Sequence, residues 1–208
     1  KYEIPNRLKR GGTSFKDYID HATEHLTLAG VLAKSSNIGT ILASETIGEK
    51  KFYKYLKKFG IGETTGMNFP GESAGILPDI NNKDQWSDTT FPTLAFGQGL
   101  SVNVVQAASV FATIANDGVR VEPRIIESTI APDGTVTPTP APKSVQVVKA
   151  TTAKQIRLML EGVVGKGGTA PKAAIPGYRV GGETGTAQYV DPKCNCYNGG
   201  VVSSFIGM

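Results

Sequence analysis

An apolar stripe at helical spacing, formed by Leu28, Val31, Leu32, Ile38, Ile41 and Leu42, is broken in its middle by Ser35, Ser36 and Asn37. Serine and asparagine side chains compete with the backbone for its own hydrogen bonds, so three in succession interrupt a helix. The chain is therefore constrained to turn at that point and to present polar side chains there. Thr27, just before the stripe, is a natural N-cap.

The remaining patterns are helical stretches separated by glycine and proline. Residues 1–26 read as irregular, with Gly11-Gly12 as a turn. Residues 49–59 read as a second helix stopped by Gly60. Residues 61–92 read as a long loop-rich region. Ser101 is expected to cap a helix that runs through Val104, Val105, Ala108, Phe111, Ala112 and Ala115. Residues 119–130 are rich in β-formers, and residues 131–142 form a hairpin loop or short linker. Thr151 or Thr152 is expected to cap a helix carrying Ile156, Leu158, Leu160, Val163 and Val164. Residues 178–189 and 201–206 read as strands, joined by a loop with the cysteines. There is no internal repeat and no domain boundary, so residues 1–208 are expected to form one unit. At 208 residues and 39% apolar content the chain can bury one sizeable core, and its 25 glycines and 12 prolines favour a loop-rich α/β or α+β arrangement over a helical bundle.

The net charge of +4 is concentrated early: residues 1–60 hold eleven Lys or Arg against six Asp or Glu. Lys50, Lys51, Lys54, Lys57 and Lys58 alternate with Phe52, Tyr55, Leu56 and Phe59. This pattern suits an amphipathic helix with a solvated lysine face. A nucleic acid or anionic surface is the competing reading, but no nucleic-acid motif accompanies the charge. No stretch is long and apolar enough to span a membrane, and the first twenty residues lack the apolar core of a signal peptide. Both ends read as cuts through a longer chain. Cys194 and Cys196 lack the spacing and the second pair that zinc requires. A disulfide across one residue and two loop thiols both remain open.

Three short constellations carry chemistry: Ser35-Ser36-Asn37, Gly97-Gln98-Gly99, and Gly182-Glu183-Thr184-Gly185-Thr186. Each is weak alone. A Ser-Asn pair is usually a local cap, and a glycine-flanked strand is often a close backbone approach. Their order is more specific. A serine S-x-x-K, a Ser-x-Asn and a K-T-G together mark penicillin-binding proteins and class A β-lactamases. The longer segments Leu32-Ala33-Lys34-Ser35-Ser36-Asn37-Ile38-Gly39, Ala95-Phe96-Gly97-Gln98-Gly99-Leu100-Ser101-Val102, Val180-Gly181-Gly182-Glu183-Thr184-Gly185-Thr186-Ala187-Gln188 and Ser203-Ser204-Phe205-Ile206-Gly207 resemble the transpeptidase domain of class B penicillin-binding proteins. The likeness is greatest to the actinobacterial division-type enzymes.

That resemblance implies an antiparallel sheet flanked by helices with a helical subdomain, incomplete here at both ends. It implies a serine-type D,D-transpeptidase that cross-links peptidoglycan through an acyl-enzyme. Ser35 would relay a proton to the leaving amine, and Asn37 would bond the substrate amide region and hold the catalytic lysine. Thr184 and Thr186 would bind the terminal carboxylate, and the Thr186 N–H would serve the oxyanion hole. Gly185 would let substrate lie along the strand edge. The partners implied are stem peptides, β-lactams and division or cell-wall synthesis proteins. The protein would lie on the outer face of the cytoplasmic membrane, held only by an N-terminal anchor absent from this sequence. No metal, organic cofactor or nucleic acid is implied.

Two departures stand against the pattern. No serine has a lysine three positions later, so the nucleophile's S-x-x-K is expected before Lys1. Glu183 stands where the family has lysine. Unit charges about 4 Å apart interact by about 4 kcal/mol at an effective dielectric of 20, so the reversal is large. A catalytically dead scaffold or peptidoglycan-binding module is therefore the alternative. A β-lactamase is a third reading, in which Glu183 occupies the wrong motif for a deacylating base. The decisive expectation is geometric: Ser35 and the Thr184–Thr186 edge must line one groove.

Overall fold

The computed structural model describes residues 1–194, 196–197 and 200–208. Four three-residue strands open the chain: β1 (Tyr2–Ile4), β2 (Leu8–Arg10), β3 (Thr13–Phe15) and β4 (Glu24–Leu26). β1 pairs antiparallel with β4, and β2 with β3. This corrects the irregular reading of residues 1–26. The turn at Gly11-Gly12 closes the second pair, with positive φ at both glycines. Strands this short hold too few residues for alternation to register as a pattern.

The broken stripe folds as two helices, α1 (Leu28–Ala33) and α2 (Asn37–Glu45). Thr27 caps α1 by accepting from the Gly30 N–H at 3.2 Å. Val31 and Ile38 pack with Ile4 into a buried cluster flanked by Tyr2, Leu8, Leu26 and Leu42. Helix α3 (Glu49–Lys58) lies outside this core with no fully buried residue. It holds on through edge-on aromatic contacts, Phe52 to Phe91 and Tyr53 to Trp86.

A short helix, α4 (Thr90–Ala95), follows the loop region and was not expected. Pro92 made the segment read as a loop, yet it stands in the first turn, where its missing N–H has no intrahelical partner to lose. Helix α5 (Val104–Ala115) is capped by Asn103, not by Ser101. The Ser101 backbone is already committed to an antiparallel bridge with Ile76. Asn103 instead accepts from the Gln106 N–H, and Gln106 Oε1 accepts from the Asn103 N–H, both at 2.8 Å.

Next come β5 (Val119–Val121), the hairpin β6 (Ser128–Ile130) and β7 (Val136–Pro138), and β8 (Ser144–Gln146), which pairs with β5. Helix α6 (Ala150–Val164) starts before Thr151 and Thr152, which fall inside its first turn, with Lys149 at the N-cap position. Strands β9 (Gly182–Gln188) and β10 (Val201–Gly207) form an antiparallel pair. Residues 178–180 precede the ladder, which begins where Gly181 and Met208 exchange backbone hydrogen bonds. The fold is thus antiparallel strand pairs flanked by helices. Cys194 and Cys196 form a disulfide in the β9–β10 connection.

Gln106 is 2% exposed and ties α5 to the loop region: its Nε2 donates to Glu63 O at 2.7 Å and to Ala74 O at 2.9 Å. Gln106→Ala strands these buried acceptors and the Asn103 N–H. It should cost roughly 2–4 kcal/mol of stability by urea unfolding, and a loss below about 1 kcal/mol contradicts this role.

Candidate active site

The corner between α1 and α2 is one residue wide. The Ser35 N–H donates to Leu32 O at 2.9 Å, and the Ser36 N–H to Val31 O at 3.0 Å. These are the two bonds of a Schellman helix ending, with Ser35 in the left-handed position at φ 51°. Glycine usually takes that position, and a serine held there reflects constraint by its surroundings. Ser36 then begins α2: its Oγ accepts from the Gly39 N–H at 2.9 Å and is 2% exposed. One serine is consumed by structure, and its neighbour is freed to project.

A residue that the sequence did not single out anchors this corner. Asp17 Oδ2 accepts from Ser36 Oγ at 2.7 Å, and Oδ1 accepts from the Ile38 N–H at 2.9 Å. His21 Nε2 lies 3.2 Å from the same carboxylate. Asn37 Nδ2 donates to Lys16 O at 3.1 Å. The segment carrying Lys16, Asp17 and His21 thus clamps the start of α2, placing a carboxylate where the helix dipole favours one. Nothing in that segment's pattern announced it, because the contact spans about twenty residues.

Helix α6 brings the far strand to the corner. It packs against both α1 and β9. An added β-carbon on Gly162 would sit 3.5 Å from Ala33 Cβ, and one on Gly181, just before β9, 3.3 Å from Leu160 Cβ. Past the end of α6 the chain doubles back, and the Ala170 N–H donates to Val163 O at 2.9 Å. That brings Thr169 Oγ1 to 3.1 Å from Thr184 Oγ1.

The juxtaposition is closed by Glu183. Its Oε1 accepts from the Thr184 N–H at 3.0 Å and lies 3.4 Å from Thr184 Oγ1. Its Oε2 is buried with no hydrogen-bond partner among the described residues. Burial pushes the carboxyl's pKa up. The Thr184 N–H, the nearby Ser35 hydroxyl and the Thr184 hydroxyl partly oppose that rise. Helix α6 thus brings the Ser35 corner and β9 to one place, although 147 positions separate Ser35 from the start of that strand at Gly182. Gln98 reaches the other end of the same strand: its Nε2 donates to Gln188 O at 3.1 Å, and its Oε1 accepts from the Gln188 N–H at 3.4 Å.

The other two constellations picked out in the sequence thus approach β9, which carries the third. Ser35, Glu183 and Thr184 are half-buried, and Thr186 is exposed. Asn37 sits at the corner and donates one amide N–H to Lys16 O. Gly185 has a nearer neighbour than an open groove: a β-carbon there would lie 2.5 Å from Ser204 Oγ across the ladder. No group of acidic, histidine or cysteine side chains suited to a metal occurs among the described residues.

The family model for the penicillin-binding protein transpeptidase domain matches residues 1–208. The chain belongs to the class B penicillin-binding protein transpeptidases. This transpeptidase-domain chain is 45% identical over 201 residues to penicillin-binding protein PbpB of Mycolicibacterium smegmatis, covering 94% of this chain and 31% of that protein. Against PbpB of Mycobacterium tuberculosis the identity is 46%, over 94% of this chain and 29% of the relative. The crystal structure of the Mycobacterium tuberculosis penicillin-binding protein 3 complexed with aztreonam superposes with a TM-score of 0.93 at 44% identity, covering all of this chain and 47% of that one. The chain thus spans about a third of the length of its curated relatives.

Two predictions follow from the site's geometry. Asp17→Ala removes the acceptor for Ser36 Oγ and the Ile38 N–H. It should cost about 1–2 kcal/mol and raise amide exchange at Ile38 and Gly39, with unchanged exchange at both weighing against the clamp. For Glu183, a folded-state pKa above the unfolded one means that the native state holds the proton more tightly. That stabilisation is complete below the unfolded pKa and is lost as pH rises through the folded one. Unfolding free energy should therefore fall as pH climbs above the ordinary glutamate range, and Glu183→Gln should flatten that limb. An unaltered slope in the variant would assign the dependence elsewhere.

Proposed function

We propose that this chain supplies the second and third active-site motifs of a serine-type peptidoglycan D,D-transpeptidase. The observation that carries the reading is that α6 packs against both α1, which ends at the Ser35 corner, and β9, which carries Glu183 and Thr184. In the reaction a serine oxygen attacks the carbonyl of the penultimate D-alanine, and the peptide C–N bond breaks. A proton relayed by Ser35 goes to the departing D-alanine amine. An amine from a second stem then displaces the serine and forms the cross-link. Asn37 would steady the substrate amide region. Thr184 and Thr186 would receive its terminal carboxylate, and the Thr186 N–H would help hold the oxyanion.

The nucleophile is not among the serines of this sequence if it lies in an S-x-x-K. The reading therefore applies to the intact polypeptide that carries this chain. Two solved complexes of the Mycobacterium tuberculosis protein contain aztreonam and ampicillin, which supports β-lactams as ligands. Other relatives are Escherichia coli peptidoglycan D,D-transpeptidase FtsI, at 35% identity, and stage V sporulation protein D of Bacillus subtilis, at 37%. The first of these names supports peptidoglycan as the substrate. The place of work we infer is the outer face of the cytoplasmic membrane, where that substrate lies, with division or cell-wall synthesis partners. Among the described residues no helix is long and apolar enough to cross a membrane.

Glu183 favours a second reading, a scaffold that retains the fold without the chemistry. A fluorescent penicillin separates the two. Covalent labelling of the intact polypeptide is expected for the enzyme, faster in Glu183→Lys by on the order of tenfold or more, since an attraction replaces a repulsion. No labelling of either form assigns the scaffold. Rapid nitrocefin turnover would assign a β-lactamase instead.

A further inference from the structure

The Glu183 side chain is an anomaly in its own surroundings. One carboxyl oxygen is tied to the Thr184 N–H, and the other is buried and unpartnered. No cation meets it. The elements around it are α6, β10, the Ser35 corner and the segment carrying Thr169. On α6, Arg157 pairs with Asp117, and Glu161 with Arg179; Lys154 within the helix, and Lys166 and Lys172 in the segment after it, are exposed. β10 carries no titratable side chain. At the corner, Lys34 pairs with Glu24, and Asp17 with Ser36 and His21. Asp191 and Lys193 lie beyond the other end of β9. A charged Glu183 is left with burial uncompensated by any ion pair among the described residues.

Thr184 lies beside that carboxyl, with its N–H donating to Glu183 Oε1 at 3.0 Å. Its hydroxyl has one proton to give, and two acceptors already compete for it: Glu183 Oε1 at 3.4 Å and Thr169 Oγ1 at 3.1 Å. A ligand carboxylate on Thr184 would be a third acceptor and a second negative charge within a few ångströms of the first. Two carboxylates that close together cannot both remain ionised without a cation between them. We propose that the β9 end of the cleft receives a ligand carboxylate only together with a proton on Glu183, while a ligand with a neutral end in that place binds without one. The proton removes the repulsion and takes Glu183 Oε1 out of the competition for the Thr184 hydroxyl, leaving the ligand to compete with Thr169 Oγ1. Glu183 is then a specificity-determining residue that makes carboxylate recognition proton-coupled, and the inference rests on the D-alanyl-D-alanine reading of the cleft.

The test is ligand-observed NMR titration of the intact polypeptide between about pH 5 and pH 8, using an N-acetylated D-alanyl-D-alanine peptide and its C-terminal amide. Above the Glu183 titration the carboxylate peptide should lose affinity by up to about tenfold per pH unit, and the amide should bind equally throughout. In Glu183→Gln both peptides should be insensitive to pH. A flat profile for the carboxylate peptide in the parent protein, or the same slope in the variant, overturns the proposal. Should the variant lose the amide peptide as well, the parent protein decides: about one proton taken up with the carboxylate peptide and none with the amide supports coupling, and equal uptake refutes it. Failure of both peptides to bind the parent protein at every pH removes the substrate reading itself, and this proposal with it.

Discussion

Helix α6 has to be covered on more than one side, and the site exists because of what covers it. Ala153, Leu160, Val163 and Val164 are buried along it. Its Gly162 meets α1 at Ala33, and its Leu160 supports the approach to β9 at Gly181. Arg157 closes a third side, with Nη1 donating to Ile114 O at 2.7 Å at the end of α5. A cation at that position satisfies the orphan carbonyls of a helix C-terminus and complements its dipole. One helix therefore sets the spacing among the serine corner, the long hairpin and α5. Small residues at its contacts keep that spacing short.

The corner itself shows how a polar residue is held ready without being buried. A Schellman ending and an N-cap share Ser36, so the backbone has no slack between α1 and α2. Asp17 locks the result from a distant strand connection. Ser35 is left in the left-handed region, half-buried, at the end of α1 that α6 holds beside β9. Glycine at that position would meet the backbone requirement at less cost but would bring no hydroxyl. A serine there trades some local stability for a positioned functional group, as strained positions at active sites commonly do.

Much of this was readable from residue patterns. The broken stripe, the lysine-faced helix ended by Gly60, the long core helix and the final two strands all rest on periodicity within one element. The misses share a cause. The strands of the first 26 residues pair across up to 24 positions, Tyr2 with Leu26, and each is too short to alternate. Ser101 was a sound N-cap by type, but its backbone was claimed by Ile76. Asp17 and Thr169 were invisible because their importance lies in a partner rather than in their neighbours. The close approach of Ser204 to Gly185 across the ladder was likewise invisible, because the two lie on different strands.

The order of residues alone determined where helices must break, which strand carries Glu183, Thr184 and Thr186, and that no serine of this sequence sits in an S-x-x-K. Those are local properties, set by which backbone groups a side chain can satisfy within a few positions. Only the tertiary structure decided that Ser35 and Glu183 share one site, that Asp17 fixes the corner, and that one Glu183 oxygen is buried without a partner. Such facts depend on packing and desolvation between distant segments, and free-energy terms of that kind have no counterpart in the linear chain.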